Sequence, residues 1–460
     1  MHDDTPAPVP RRAPDQPPAP PASSTPTASP APTTQPAPPP VPELFGWESA
    51  ADPYPAYAWL REHSPVHRTQ LPSGVEAWLV TRYADARQAL AEQRLSKDPG
   101  HHSEGGAHGK GKVGIPGERS ANLMTHLLNI DPPDHTRLRR LVSKAFTPRR
   151  VAEFEPRVRE LADQLIDAIV ERQQDQAGPA AAGGGRTYEA DLIHEFAFPL
   201  PIYAICDMLG VPAEDQDDFR DWAGMMIRHG GGPRGGVGRA VKKMRGYLAE
   251  LIHRKRLDPG DDLISGLIRA SDHGEHLSEN EAAAMAFILL FAGFETTVNL
   301  IGNGTYALLR HPEQRTRLHE AAVRGDDGLL ATAVEELLRY DGPVELATWR
   351  FATEPLELGG QRIAAGDPVL VVLASADRDP AKFDHPDVLD LGRRDNQHLG
   401  YGHGIHYCLG APLARLEGQI ALGTLFRRLP GLQLAAAPED LRWRGGLIMR
   451  GLRTLPVTFT

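Results

Sequence analysis

The residues of this sequence that are best suited to chemistry lie in one short segment around Cys408. Glycines stand at the alternate positions 400, 402 and 404 ahead of the cysteine, and glycine at this density disfavours both strand and helix. The segment is therefore predicted to be a tight loop that lies flat and close to something large. Residues 411–417 follow at once and are predicted to be helical. The positive end of a helix dipole beside the sulfur is expected to lower the thiol pKa and keep the sulfur ionised.

A thiolate presented by such a loop has the form in which proteins offer sulfur to a haem iron. Thiolate ligation pushes electron density onto the iron and favours cleavage of the O–O bond. A cysteine that only fills the core is an alternative, but core packing does not require three glycines ahead of it. A zinc site is a second alternative, although the spacing of its candidate ligands is not that of a finger or a ribbon. Those candidates are His398, His403, His406 and Cys408.

Composition excludes several classes of protein. The chain has 460 residues, of which 41% are hydrophobic, so it can bury a large core. Its net charge of −10 argues against nucleic acid as a main partner. Its two cysteines, Cys206 and Cys408, make no disulfide framework, which suits a reducing cytoplasm. The longest apolar run, Ala282 to Phe294, is shorter than the ~18 residues that a membrane helix needs, so no membrane span is predicted.

The first 42 residues differ from the rest of the chain, because they are mostly Pro, Ala, Thr and Ser. Such a segment buries too little apolar surface to offset its ordering entropy and is predicted to be disordered, with local polyproline II character. Arg11 and Arg12 do not mark an export signal, since no apolar stretch follows them. Residues 43–460 are predicted to form one globular domain.

A long helix is predicted from Glu281 to Arg310. The run Ser278–Glu281 has the pattern of a capping box, and His311-Pro312 ends the helix. About thirty residues at ~1.5 Å each make a rod of ~45 Å. Because its middle is apolar on nearly every face, this helix is expected to cross the centre of the protein.

Polar residues interrupt the middle of this helix at Gly293, Glu295, Thr296 and Thr297. An acid and hydroxyls inside a core are costly unless they are used or satisfied. A threonine can turn its hydroxyl back to the carbonyl four residues earlier and open a local bulge. We therefore expect a place here for a small ligand such as dioxygen and for a water molecule.

The remaining pattern is mainly α with minor β. Glu336 and Arg339 stand at i and i+3 on a predicted helix, so they can pair. Further helices are predicted at 83–93, from 134 onwards, and at 151–173, 189–209, 214–229 and 238–256. Strands are predicted at 76–81, 356–358, 369–373 and 448–457, and loops at 100–120, 177–185 and 230–236.

These motifs together resemble those of the cytochrome P450 monooxygenases, specifically the soluble actinomycete type. The motifs occur in the family's order over residues ~43 to 460: Asp131–Arg139, Ala292–Thr297, Glu336 with Arg339, and the Cys408 loop. The resemblance implies the P450 fold in a single haem-containing domain. Its details are most similar to P450s that hydroxylate macrolides and other secondary metabolites, and to some that hydroxylate steroids or vitamin D.

The resemblance also implies roles for individual residues. Cys408 is the axial ligand of the iron, and Glu295 with Thr296 is the acid–alcohol pair that delivers protons to dioxygen. Glu336 and Arg339 brace the cysteine loop. The haem propionates are contacted by His135, Arg139, Arg350 and His406. The substrate is contacted by the 100–125 loop, the 225–240 segment, Ala292, Leu346, Ala347, Ile448 and Met449.

The implied reaction inserts one oxygen atom of O₂ into a C–H bond of a hydrophobic small molecule, with haem b as cofactor. Electrons come from NAD(P)H through a ferredoxin reductase and a ferredoxin, since the sequence has no flavin or Fe–S motif. The protein is expected to be a cytoplasmic monomer. A basic docking face is predicted from Arg137, Arg140, Lys144, Arg149 and Arg415.

Two other classes of haem protein remain as alternatives. A non-catalytic binding or sensing protein needs no proton relay, and a peroxygenase or ring-coupling catalyst often lacks the acid–alcohol pair. Glu295 and Thr296 argue against both.

The sequence departs from the family pattern at two positions. Tyr401 stands where the family usually has Phe, and its hydroxyl needs a partner. Val388 stands where an arginine often completes the Glu–Arg–Arg brace, so Arg393 or Arg394 is predicted to replace it.

Overall fold

The computed structural model describes residues 40–101, 126–176, 187–228, 237–272 and 274–460. The chain divides into two units between Pro40 and Val41, and the elements below belong to the second. Disorder is predicted for residues 1–42, and residues 1–39 of that segment lie outside the described residues. So do most of the predicted loop at 100–125 and the predicted loops at 177–185 and 230–236.

Helices dominate the described part of the chain, which confirms the predicted class, mainly α with minor β. They are α1 Trp47–Ala51, α2 Tyr54–His63, α3 Tyr83–Ala91, α4 Asp134–Ala145, α5 Pro148–Glu153, α6 Glu155–Gln176, α7 Pro199–Leu209, α8 Ala213–Arg228, α9 Val237–Leu257, α10 Leu263–Arg269, α11 Glu279–Arg310, α12 Pro312–Arg324, α13 Asp327–Asp341, α14 Leu373–Ala376 and α15 Ala411–Arg428.

The strands are short and form small sheets. They are β1 Val66–Gln70, β2 Glu76–Val80, β3 Leu95–Ser96, β4 Tyr188–Asp191, β5 Ser271–Asp272, β6 Glu275–His276, β7 Arg350–Ala352, β8 Leu356–Leu358, β9 Gln361–Ile363, β10 Pro368–Val371, β11 Gln433–Leu434 and β12 Pro456–Phe459. The largest of the described sheets has the order β1-β2-β10-β7-β3, with β2 and β10 parallel. It pairs Arg350, at the start of β7, with Val369 of β10.

Two predicted elements are wrong in part. Residues 189–209 do not form one helix: β4 pairs antiparallel with β12, Ile193–Ala197 is a π-helical turn, and α7 begins only at Pro199. A proline favours the first turn of a helix, where its missing N–H is not needed. The strand predicted at 448–457 begins only at Pro456, because β12 takes its register from β4.

Helix α11 crosses the core as predicted. Ser278 and Glu281 form the capping box, and the helix ends before His311. It packs against α7, α9, α13 and α15. By length and composition it could cross a membrane, but 67% of its most apolar window is buried in the protein, as in a core helix. The predicted local bulge is wrong, since α11 is continuous from Glu279 to Arg310.

Candidate active site

A cavity lies between the middle of α11 and the cysteine loop, residues 400–410. Its empty volume is about 1470 Å³, open solvent included, which is ample for a flat macrocycle and a second small molecule. Leucine, isoleucine, methionine and phenylalanine side chains make much of its wall. The predicted site residues that line it are Arg139, Ala292, Thr296, Ala347, Arg350, His406 and Cys408.

The cysteine loop has the tight form that its glycines predict. Gly402 and Gly404 both have φ of 76°, in the left-handed region that glycine favours. A Cβ on Gly404 would lie 3.1 Å from the carbonyl oxygen of Leu90, so the loop also passes close to the end of α3. The Cys408 N–H donates to the Tyr401 carbonyl at 2.9 Å, which closes the loop over the sulfur.

The predicted pKa of Cys408 is wrong in direction. Burial raises the pKa of its thiol, and this outweighs the N–H groups of Gly410 and Ala411 and the charge of Arg139, which lower it. The helix dipole alone therefore does not ionise the sulfur. Binding of a cation at the sulfur would supply the missing stabilisation, since metal binding is coupled to loss of the thiol proton.

Arg139, Arg350 and His406 line the cavity, and His135 lies beside His406 and Arg139. Arg350 is 4% exposed, and burial lowers its pKa to about 10. Its guanidinium donates to the Thr348 carbonyl at 3.1 Å. The rings of His135 and His406 are 4.3 Å apart, and burial with neighbouring cations lowers the pKa of His406 to about 2. Arg139 donates to the Tyr407 carbonyl at 2.9 Å.

The acid–alcohol pair is split between two environments. The Thr296 hydroxyl lines the cavity and donates to the Ala292 carbonyl at 2.8 Å. Glu295 does not line the cavity; its carboxylate lies 4.0 Å from the Arg444 guanidinium. Burial raises the pKa of Glu295, and Arg444 acts in the opposite direction. The acid is therefore held beside the cavity, one residue from the hydroxyl that faces it.

The brace is a fully buried ion pair. Arg339 donates two hydrogen bonds of 2.8 Å to the carboxylate of Glu336, and both side chains are 0% exposed. Arg393 approaches the same carboxylate at 3.1 Å and so takes the third position, whereas Arg394 is exposed. Val388 contributes its carbonyl, which accepts from Arg339 at 3.1 Å.

Sequence similarity places the chain in a known protein family. The sequence profile of the cytochrome P450 family matches residues 231–432. The cytochrome P450 monooxygenase PikC of Streptomyces venezuelae is 47% identical over 422 residues, which are 91% of this chain and 94% of that protein. The chain belongs to the cytochrome P450 family.

Other relatives and solved structures agree with the assignment of this chain to the P450 family. The vitamin D(3) 25-hydroxylase of Pseudonocardia autotrophica is 44% identical, over 90% of this chain and 96% of that protein. The structure of PksS, a P450 of the Bacillus subtilis bacillaene polyketide synthase, superposes with a TM-score of 0.79 at 37% identity. That match covers 91% of this chain and 99% of the other. The chain is thus a P450 monooxygenase, a haem-iron enzyme.

The cationic wall fits the two carboxylates of a haem. Nε2 of His135 is buried with no hydrogen-bond partner in the described protein. Sequence reasoning missed Lys97, which is 3% exposed and donates to the Thr348 hydroxyl at 2.5 Å and the Trp349 carbonyl at 2.6 Å. The charges of Lys97 and Arg350 both act on His406, and the carboxylate of Asp131 acts on Arg350. The excess of positive charge would match two propionates.

Loss of one cation from this wall is expected to weaken haem retention. Arg350→Ala or Arg139→Ala should purify with substoichiometric haem, because an unpaired buried carboxylate costs about 3–5 kcal/mol. His135→Ala should retain more haem, since burial lowers the pKa of His135 and favours its neutral form. The haem-to-protein ratio is measured by the pyridine haemochromogen assay. Arg394→Ala, at an exposed position, is the control, and full occupancy in both arginine variants would contradict the assignment.

Sequence reasoning also missed Glu417, on the inner face of α15. It lines the cavity, is 1% exposed, and burial raises its pKa to about 8. A hydrogen bond with Thr297 opposes that rise. Glu417 is therefore a largely protonated carboxyl at neutral pH, close to the hydroxyls of α11. Its place in the run 411–417 gave no sign of this, because only the packing of α15 on α11 brings it there.

Tyr401 lies on the cysteine side of the cavity. Its side chain is 9% exposed, and its hydroxyl has no hydrogen-bond partner in the described protein. The guanidinium of Arg415 lies 4.5 Å from its ring centroid. The ring thus keeps the packing that phenylalanine would give, and the cation–π contact of Arg415 stabilises it.

The predicted substrate positions are distributed unevenly. Ala292 and Ala347 line the cavity, whereas Leu346, Ile448 and Met449 do not. Ile448 accepts backbone N–H groups from the 345–346 segment, and Met449 pairs with Val344, which does line the cavity. These three residues are therefore linked by backbone pairing to the segment that contains the cavity residues Val344 and Ala347. Most of the predicted 100–125 loop and part of the 225–240 segment lie outside the described residues.

Proposed function

We propose that this P450 hydroxylates a hydrophobic small molecule of the macrolide, polyketide, steroid or secosteroid type. The observation that carries the proposal is the apolar cavity that separates Cys408 from Thr296 and Ala292. Such a wall favours a large apolar substrate, because burial of apolar surface drives binding. Two relatives, a vitamin D(3) 25-hydroxylase and a mycinamicin IV hydroxylase/epoxidase, support this range of substrates.

The haem b that we propose as cofactor supplies the activation of dioxygen when it is bound. The chain's own residues do the rest. The sulfur of Cys408 would ligate the iron, and Arg139 and Arg350 would hold the propionates, with Lys97 nearby. Glu295 takes up a proton from solvent and passes it towards the Thr296 hydroxyl, which orders the receiving water. The apolar residues of α11 exclude bulk water around the substrate.

We further propose that electrons arrive from NAD(P)H through a ferredoxin reductase and a ferredoxin, in a monomeric cytoplasmic enzyme. The predicted basic face is weaker than its residues suggest, since Arg137, Arg149 and Arg415 each form an ion pair within the protein. Ile405 and Tyr407, on the cysteine loop, are 51% and 39% exposed. We expect the ferredoxin to contact this short apolar segment as well as the neighbouring cations.

A ligand screen tests the substrate class. Macrolides, polyketides, steroids and secosteroids are added to the ferric enzyme, and the low- to high-spin shift of the haem is recorded. Hits are then incubated with NAD(P)H and surrogate redox partners. Hydroxylated product that requires NAD(P)H supports the proposal. A spin shift without NAD(P)H-dependent product from any hit would contradict it and favour a binding protein.

Removal of the Thr296 hydroxyl is expected to uncouple the reaction. Thr296→Ala should bind haem and substrate nearly as the wild type does, but divert reducing equivalents to peroxide, because the group that orders the relay water is lost. The measurement is product formed and peroxide released per NAD(P)H consumed. Thr297→Ala is the matched control, since Thr297 donates to the Gly293 carbonyl and contacts Glu417. If Thr297→Ala uncoupled the reaction and Thr296→Ala did not, the proton path would run through Thr297 instead.

A further inference from the structure

A hairpin formed by residues 442–453 packs against α11 at Asn299. Trp443 and Leu452 form an antiparallel bridge, and the Arg444 N–H donates to the Gly451 carbonyl at 2.8 Å. A Cβ on Gly451 would lie 2.1 Å from Oδ1 of Asn299, in α11. Only glycine permits so close an approach, and the contact fixes the height of the hairpin along the helix.

This contact brings Arg444 to Glu295. Asn299 is one helical turn after Glu295, so the two side chains lie on the same face of α11. Nη1 of Arg444 lies 4.0 Å from Oε1 of Glu295, and the two side chains are 16% and 15% exposed. Nη1 has no hydrogen-bond partner in the described protein. The Arg444 guanidinium therefore lies beside the Glu295 carboxylate without a direct hydrogen bond between these two atoms.

We propose that Arg444 is a positioning residue that holds Glu295 on the hairpin side of α11 and stabilises the negative charge of its carboxylate. This proposal rests on the proposed role of Glu295 as the proton donor. After Glu295 gives its proton to the water at Thr296, a carboxylate remains in a buried place. Arg444 stabilises that carboxylate until a proton from solvent restores the acid.

The charges around Glu295 favour this assignment. Burial raises the pKa of Glu295, and Arg444 is the cation that lowers it. Burial lowers the pKa of Arg444, Glu295 opposes this shift, and Arg453 adds to it. A guanidinium does not lose its proton at any working pH, so its charge is constant while Glu295 cycles. Without Arg444 the pKa of Glu295 would be higher, and release of its proton to the relay would be less favourable.

Direct titration of Glu295 tests the proposal. The infrared band of its protonated carboxyl is assigned by its loss in Glu295→Gln and followed against pH in the ferric holoenzyme. Arg444→Gln should move the midpoint about 1–3 pH units upward, the usual effect of one neighbouring opposite charge. Arg444→Lys keeps a cation at this position and should return the midpoint most of the way to the wild-type value. Arg442→Gln, at an exposed position of the same hairpin, should leave it unchanged. An equal midpoint in Arg444→Gln and the wild type would overturn the proposal.

A second variant reaches the same contact without changing any charge. Gly451→Ala forces the hairpin away from Asn299 and should therefore also raise the midpoint. The fraction of NAD(P)H that appears in product is then measured against pH for each variant. The alkaline limb of this profile, where the proton donor becomes ionised, should move upward with the midpoint of Glu295. A moved midpoint with unmoved coupling would uphold the contact between Arg444 and Glu295, and it would instead refute Glu295 as the proton donor of the proposed function.

Discussion

Cys408→Ser is expected to abolish the thiolate-type Soret band of the reduced carbon monoxide complex. Serine has nearly the shape of cysteine, so the loop should keep the hydrogen bond between the 408 N–H and the Tyr401 carbonyl. Its hydroxyl does not ionise in the working pH range and cannot donate charge to the iron as a thiolate does. Monooxygenation, which depends on that donation, should fall with the band. The measurement is the difference spectrum of the reduced protein with and without carbon monoxide.

Cys206→Ser is the matched control for this experiment. Cys206 is the only other cysteine in the sequence. It is 0% exposed in α7, and burial raises the pKa of its thiol, so it is an inert core residue. Its replacement should leave the band in place. If Cys408→Ser retained the band, Cys408 would not be the ligand and the assignment of the site would fail.

Local chemistry made much of this site predictable. The alternating glycines predicted the tight loop, and the helix that follows it begins at Ala411, as expected. The pattern Ser278–Glu281 predicted the start of α11, and His311-Pro312 predicted its end. Each of these features depends on residues within one or two turns of each other, which is the range over which sequence patterns act.

The features of the site that the sequence did not predict all depend on contacts between distant segments of the chain. Lys97, Glu417 and Arg444 have no local signature, and each reaches the site only through packing of its element on another. The direction in which the pKa of Cys408 shifts depends on how deeply the sulfur is buried, and no local sequence pattern predicts that depth. The strand at 188–191 forms because β12 lies beside it, so pairing overrides the helical pattern of that segment.

Glu336→Gln is expected to cause the largest loss of stability among substitutions away from the haem. The carboxylate of Glu336 faces the guanidinium groups of Arg339 and Arg393. Its neutralisation leaves two cations in the core without their anion. Breaking a buried pair in this way costs about 3–5 kcal/mol. The free energy of unfolding is measured by urea denaturation. Glu153→Gln, in an exposed pair with Arg149, is the control, and its loss should not exceed about 1 kcal/mol.

Substitution of Arg339 and of Arg393 should reduce the free energy of unfolding by unequal amounts, because the two side chains differ in their other contacts. Arg393→Met should cost less than Glu336→Gln, because Glu336 keeps its two hydrogen bonds from Arg339. Arg339→Met should cost more, since it also frees the carbonyls of Asp377 and Pro386. The carboxylate of Asp377 accepts the Leu399 N–H at 2.6 Å, directly before the cysteine loop.

The damage from Arg339→Met is therefore expected to reach the iron ligand. The haem-containing fraction of that variant should show a weakened thiolate-type band as well as reduced stability. The Arg393→Met band should stay close to that of the wild type. Arg393 donates to Glu336 and to carbonyls of the 384–388 segment, not to Asp377. Equal bands in the two variants would show that the ion pair stabilises the fold without holding the loop.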